Sequence, residues 1–144
     1  MGLVLSRPTE ALAGEVVPEL EDLVEPDALL FVGGPVEPGS IVVLAEFDEP
    51  SEAARPVIGD IGFLPGDRDH GDLGTRRARV FAGYAGWGPG QLEAEIEESS
   101  WILEEAEPDD LFAAEPDDLW ADVLRRKGGP FAVLSTMPAD PSLN

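Results

Sequence analysis

Short apolar runs separated by Gly and Pro recur along the chain, and their spacing predicts strands interleaved with helices. Gly2 to Leu5 reads as a strand, and Arg7-Pro8-Thr9 opens a helix candidate with Leu12 and Val16 on one face. Ala28-Leu29-Leu30-Phe31-Val32 is a short apolar strand that must turn at Gly33-Gly34-Pro35. After the turn signal Pro38-Gly39, the run Ile41 to Leu44 is rich enough in β-branched residues for a buried strand. Val57 to Leu64 reads as a strand interrupted by Gly59 and Gly62, Pro65 to Thr75 as an exposed loop, and Arg79 to Ala85 as a further strand.

A helix is expected from about Gly90 to Ser99, with Leu92 and Ile96 inward and Glu93 and Glu95 at the positive end of its dipole. Trp101 to Leu103 again has strand character. The segment Ala106 to Phe112 (AEPDDLF) recurs eight residues later as Ala114 to Trp120 (AEPDDLW), too short for a solenoid repeat. Each copy offers an acidic turn or helix start followed by an apolar pair. The second leads into Trp120, Val123 and Leu124 at helical spacing, with Arg125, Arg126 and Lys127 at the negative end and Gly128-Gly129-Pro130 as the stop. Phe131 to Leu134 would supply a last strand. Such interleaving predicts one layered domain of the α/β (α+β) class over residues 1–144 rather than a bundle or a sandwich.

Composition narrows the chemistry. A chain of 144 residues, 43% hydrophobic, can bury a core without help from metals or disulfides, and it has no Cys for either. No apolar run approaches the roughly 18 residues that span a bilayer, and no basic-then-apolar leader is present, so a cytoplasmic protein is expected. Met1-Gly2 with Ser6 fits the myristoylation pattern, but the intervening Leu3, Val4 and Leu5 read as buried strand.

The net charge is −21, and from Gln91 to Val123 every charged residue is acidic. Such a surface repels phosphate, so direct nucleic-acid binding would depend on small patches such as Arg76, Arg77 and Arg79, and the balance argues against it.

The loop Gly86-Trp87-Gly88-Pro89-Gly90 stands between a strand and a helix, where backbone N–H groups can hold an anion. Its spacing matches neither the dinucleotide nor the phosphate-loop pattern, so a tight turn and close helix packing explain its glycines more simply. Tyr84, Trp87, Gly88, Gly90 and Gln91 form the candidate binding surface, with Tyr84 and Trp87 otherwise read as covering aromatics. Gly66 to Asp72 gathers three carboxylates around the single His, but Gly71 and Ala78 stand where a calcium loop needs oxygen ligands. No metal or cofactor is implied. One His allows at most one Ser-His-Asp triad, and no Gly-x-Ser-x-Gly elbow accompanies it.

Taken in order, Gly2 to Pro8, Phe31 to Val36 (FVGGPV), Gly83 to Glu95 (GYAGWGPGQLEAE) and Ser135 to Pro138 (STMP) resemble the YqgE/AlgH family of bacterial proteins, the third segment most specifically. The resemblance covers nearly the whole chain. It implies a mixed, partly barrel-like sheet surrounded by helices, and no agreed activity or catalytic residues, although some members carry the label of transcriptional regulator. The family usually has a further amino-terminal segment of roughly a few tens of residues, about two elements' worth. Ser6 stands where it usually has Asn. Either the true start lies upstream of Met1 or this member exposes a sheet edge. The expected function is a non-enzymatic binding module for an unknown protein or small molecule. A direct or indirect transcriptional regulator, and a hydrolase or transferase using carboxylates, are the alternatives.

Overall fold

A computed structural model describes residues 1–67 and 69–137. Its centre is a mixed sheet of six strands in the order β1-β2-β6-β3-β5-β4. These are β1 (Pro8–Leu12), β2 (Leu29–Val32), β3 (Val36–Phe47), β4 (Arg55–Ile58), β5 (Ile61–Phe63) and β6 (Thr75–Tyr84). Only β2 and β6 run parallel. With β1 and β4 as its edges the sheet is not closed into a barrel, although its mixed character and the presence of flanking helices are what the resemblance implies.

Both faces of the sheet are covered, which is why its central strands read as continuous apolar runs rather than alternating ones. On one face Val43, Val80 and Leu30 pack with Ala13 of the short helix α1 (Ala13–Val16) and with Leu20 of the 3-10 turn Pro18–Leu20. On the other, Leu44, Phe81, Phe31 and Ile61 pack with Leu111 of α3 (Pro108–Leu111). The remaining helices are α2 (Gln91–Glu97), α4 (Leu119–Lys127) and α5 (Pro130–Leu134).

Several expectations need correction, among them the turn at Pro38-Gly39, which lies inside β3, where the pairing with β6 shifts register between Val36 and Ile41. Gly2 to Leu5 forms no regular strand; Gly2 makes an isolated bridge to Ala85, and the Val4 N–H donates to Gly33 O at 2.8 Å. The expected helix after Arg7 is instead the edge strand β1, since Pro8 and Leu12 pair with β2 and the Thr9 hydroxyl donates to Leu30 O at 2.7 Å; helix follows for only four residues. Among the described residues Trp101 to Leu103 has no strand neighbour, and it remains irregular. Phe131 to Leu134 is helix α5, not strand: Gly128 and Gly129 both take positive φ, ending α4 and turning the chain, and Pro130 then begins a new helix with a suitable fixed φ. Val57 to Leu64 is a hairpin of β4 and β5, turning at Gly59 with φ +55°.

Candidate functional site

The loop after β6 owes its shape to its sequence. Gly88-Pro89-Gly90-Gln91 closes with the Gln91 N–H donating to Gly88 O at 3.0 Å, and Gly90 has φ 75° and ψ −6°, the third-position geometry of a type II turn. The Gln91 side chain reaches back to accept from the Gly88 N–H at 3.0 Å. Three of the turn's polar backbone groups, the Gly88 N–H and carbonyl and the Gln91 N–H, are thus satisfied within it. The loop's glycines make a turn of the kind the simpler sequence reading describes.

From this turn α2 carries Glu95 to the Trp87 ring. One carboxylate oxygen accepts from the indole N–H of Trp87 at 3.1 Å and from that of Trp101 at 2.9 Å, while the other accepts from the Gln91 amide at 3.2 Å. The two indoles meet edge to face with centroids 5.8 Å apart. These bonds, led by that from Trp101 and opposed by partial desolvation, hold the Glu95 carboxyl below its ordinary range.

Trp101 reaches Glu95 because the end of α2 doubles back. The Ser100 N–H donates to Glu95 O and the Ser99 N–H to Ile96 O, with Ser99 at φ 60°, a Schellman arrangement in which Ser occupies the usual glycine position.

Three of the distinctive segments converge here. The Trp87 ring lies against Gly2, and a side chain on Gly33 would overlap the Gly83 carbonyl; Gly83 itself has φ +74°. Tyr84 ends β6 opposite Val36, its ring beside Gly86. The structure therefore places Gly88, Gly90 and Gln91 in one turn, with Trp87 just before it and Tyr84 at the end of β6. The fourth segment lies at the end of α5, and its Pro138 is outside the described residues. So is Arg68 of the acidic loop, where Asp69 accepts from the Gly71 N–H at 3.0 Å in a local turn.

A second site was legible only as a basic patch. Strand β2 pairs with β6 only at Phe31↔Phe81 and Val32↔Ala82, so among the described residues the edge of β6 from Arg76 to Val80 makes no ladder pair on that side. It borders a cleft of about 630 Å³ between the 23–29 and 112–117 segments. Alternation along β6 turns Arg77 and Arg79 to the face that carries Phe81. Arg79 lies over the Phe31 ring at 4.4 Å and Arg77 over Phe112 at 4.5 Å.

Their surroundings differ. Arg77 pairs with Glu46 and Asp109, each at 3.0 Å. Arg79 donates only to the Ala113 carbonyl, at 3.0 Å, and has no carboxylate partner among the described residues. Its Nη1 and the Nε of Arg77 are buried without an acceptor. Burial, reinforced by the positive charge of Arg77, lowers the Arg79 pKa from the usual arginine value. Glu25, Asp27 and Asp117 also line the cleft.

Arg7 and Arg55 are exposed and make no ion pair among the described residues, whereas other cations are engaged. Arg76 meets Asp60 at 2.7 Å, Arg125 meets Asp122 at 2.8 Å, Arg126 meets Asp110 at 2.7 Å and Lys127 meets Glu104 at 3.9 Å. Among the described residues no helix is long and apolar enough to cross a membrane.

Known proteins share this architecture. The sequence model of the AlgH-like family matches residues 1–132. A UPF0301 protein of Thermobifida fusca is 40% identical over 159 residues, covering all of this chain and 79% of its own length. One from Mycobacteroides abscessus is 37% identical, covering all of this chain and 73% of its own. The crystal structure of protein DIP2367 from Corynebacterium diphtheriae superposes with a TM-score of 0.82 at 28% identity, over 94% of this chain and 74% of that one. The solution structure of AlgH from Pseudomonas aeruginosa gives 0.67 at 27% identity, over 97% and 78%. With its distinctive glycine and tryptophan segments packed against one another and a family match over nearly its whole length, this chain belongs to the AlgH-like family.

Proposed function

We propose that the protein is a binding module for a small anionic molecule held in the arginine cleft. One observation carries this reading: in a chain of net charge −21, Arg79 is a partly buried guanidinium with no carboxylate partner among the described residues. Desolvating a charge without a counterion is unfavourable, and a bound carboxylate or phosphate would supply the missing one. The rings of Phe31 and Phe112 suit a ligand with an apolar or aromatic body. Glu25, Asp27 and Asp117 favour one that also carries an amine, since they would repel a bare anion. The carboxylate pairing of Arg76, Arg77, Arg125, Arg126 and Lys127 weighs against nucleic acid as the ligand.

The test is thermal shift and calorimetry with benzoate, phenylalanine, phenyl phosphate and inorganic phosphate, using benzamide as the neutral control. At about a hundredfold excess over Kd a true ligand raises Tm by about 5 °C or more. Arg79→Met should abolish that shift and Arg125→Met should leave it intact. The benzoate and phenyl phosphate arms separate carboxylate from phosphate recognition. An equal shift in Arg79→Met, or none with any anion, overturns the assignment. Turnover of a bound compound, lost on changing one Asp or Glu, would return the hydrolase or transferase reading.

A further inference from the structure

The segment after α2 presents a second surface, independent of the cleft. Trp101, Ile102 and Leu103 are 45%, 45% and 54% exposed, three consecutive large apolar residues on the surface of a strongly charged chain. Their composition suits a strand, yet among the described residues no strand pairs with them and their backbone N–H groups have no acceptor. One side of the segment is anchored: Lys127 donates to Leu103 O at 2.6 Å and Arg126 to Glu105 O at 3.1 Å. At its start, Trp101 is fixed by its bond to Glu95 and by its contact with Trp87. The segment is therefore held in place while its apolar side chains and its donors remain available.

Charge selects the occupant. Glu97 and Glu98 precede the strip and Glu105 follows it, all exposed and with carboxylates in no ion pair among the described residues. A second copy of the chain would bring the same acidic flanks together, whereas a basic segment would neutralise them. We propose that Trp101 to Leu103 is a docking strip for an extended basic peptide segment of a partner protein, with alternating Lys or Arg and apolar residues. Backbone bonds to the free donors would set its register, and Ile102 and Leu103 would receive its apolar side chains.

The probes are two hexapeptides of opposite charge, alternating Lys-Val and alternating Glu-Val, titrated into the full chain with tryptophan fluorescence and calorimetry as readouts. The Lys-Val peptide should bind at least about tenfold more tightly than Glu-Val and lose affinity as salt rises. Ile102→Ser, which leaves the Glu95 bonds in place, should weaken Lys-Val binding by about tenfold or more, and the Glu98→Lys, Glu105→Lys double variant should do the same. Circular dichroism checks that each variant is folded. Arg79→Met should leave peptide binding unchanged, which separates this surface from the anion cleft. Equal binding of the two peptides, binding of neither, or unchanged affinity in Ile102→Ser overturns the proposal. Dimerisation of the wild type that Ile102→Ser abolishes would assign the strip to a second copy and overturn it equally.

Discussion

Glu95 shows how one side chain can organise a loop. It accepts from two indoles and an amide, so Trp87, Gln91 and Trp101 are held by a single carboxylate. Neutralising it weakens these bonds and converts one carboxylate oxygen into an amide donor that faces other donors. Glu95→Gln is therefore expected to red-shift tryptophan emission and to increase acrylamide quenching, with the sheet unchanged by far-UV circular dichroism. The wild type should show the same change on acidification. Because the folded carboxyl titrates lower than it would in the unfolded chain, its contribution is fully present above about pH 4.3 and is lost as pH falls through the lower folded value. Emission that is identical in the two proteins at pH 7 would show that the bonds do not hold the indoles. The spacing Trp87, Gln91, Glu95 was legible in the sequence as a loop and the helix that follows it, but the second indole was not. Its approach depends on Ser99 entering a left-handed conformation and turning the chain back.

At the level of elements, the two AEPDDL copies repeat one turn and then diverge. In each, the last Asp N–H donates to the Glu carbonyl three residues earlier, at 2.9 Å for Asp110 and 3.0 Å for Asp118, and the following Leu is buried. The first copy ends as the one-turn helix α3; the second continues into α4. They are joined through Arg126, whose guanidinium forks onto Asp110 at 3.0 and 2.7 Å, while Asp110 also accepts from the Glu107 N–H at 2.8 Å. Chiefly the hydrogen bond from Arg126, then the Glu107 N–H and the Arg126 charge, holds the Asp110 carboxyl below its usual value against a desolvation penalty. Its contribution is thus present above about pH 3.9 and disappears as pH falls through the lower folded value. Asp110→Asn should cost about 1–2 kcal/mol at pH 7. Urea unfolding of the two proteins should converge between about pH 4 and pH 2; a gap that stays constant over that interval would exclude this pair as the cause.

For the molecule as a whole, a net charge of −21 opposes compactness through self-repulsion, and salt should relieve it. Raising NaCl from 20 to 300 mM shortens the screening length from roughly 20 Å to about 6 Å and is expected to raise Tm by a few degrees, most of it below physiological ionic strength. A Tm that falls across this range would show that ion pairs such as Arg126 with Asp110 outweigh the general repulsion. The sequence by itself determined the strand over residues 28–32, only the middle of β3 over 41–44 and the second half of β6 from Arg79, the helices α2 and α4, and the family, because apolar periodicity, caps and a motif of many fixed positions are local properties of the chain. Only the tertiary structure decided that Pro8–Leu12 is an edge strand and that Trp101 to Leu103 has no strand partner among the described residues, since strand pairing depends on neighbours distant in sequence. It likewise decided that Phe131 to Leu134 winds into a helix packed on α4. The arginine cleft lay between these limits. Counting by twos from Phe81 places Arg79 and Arg77 on its face, but their ring contacts with Phe31 and Phe112 and the missing carboxylate at Arg79 arise only where β2 stops pairing and segments 23–29 and 112–117 close around the open edge of β6.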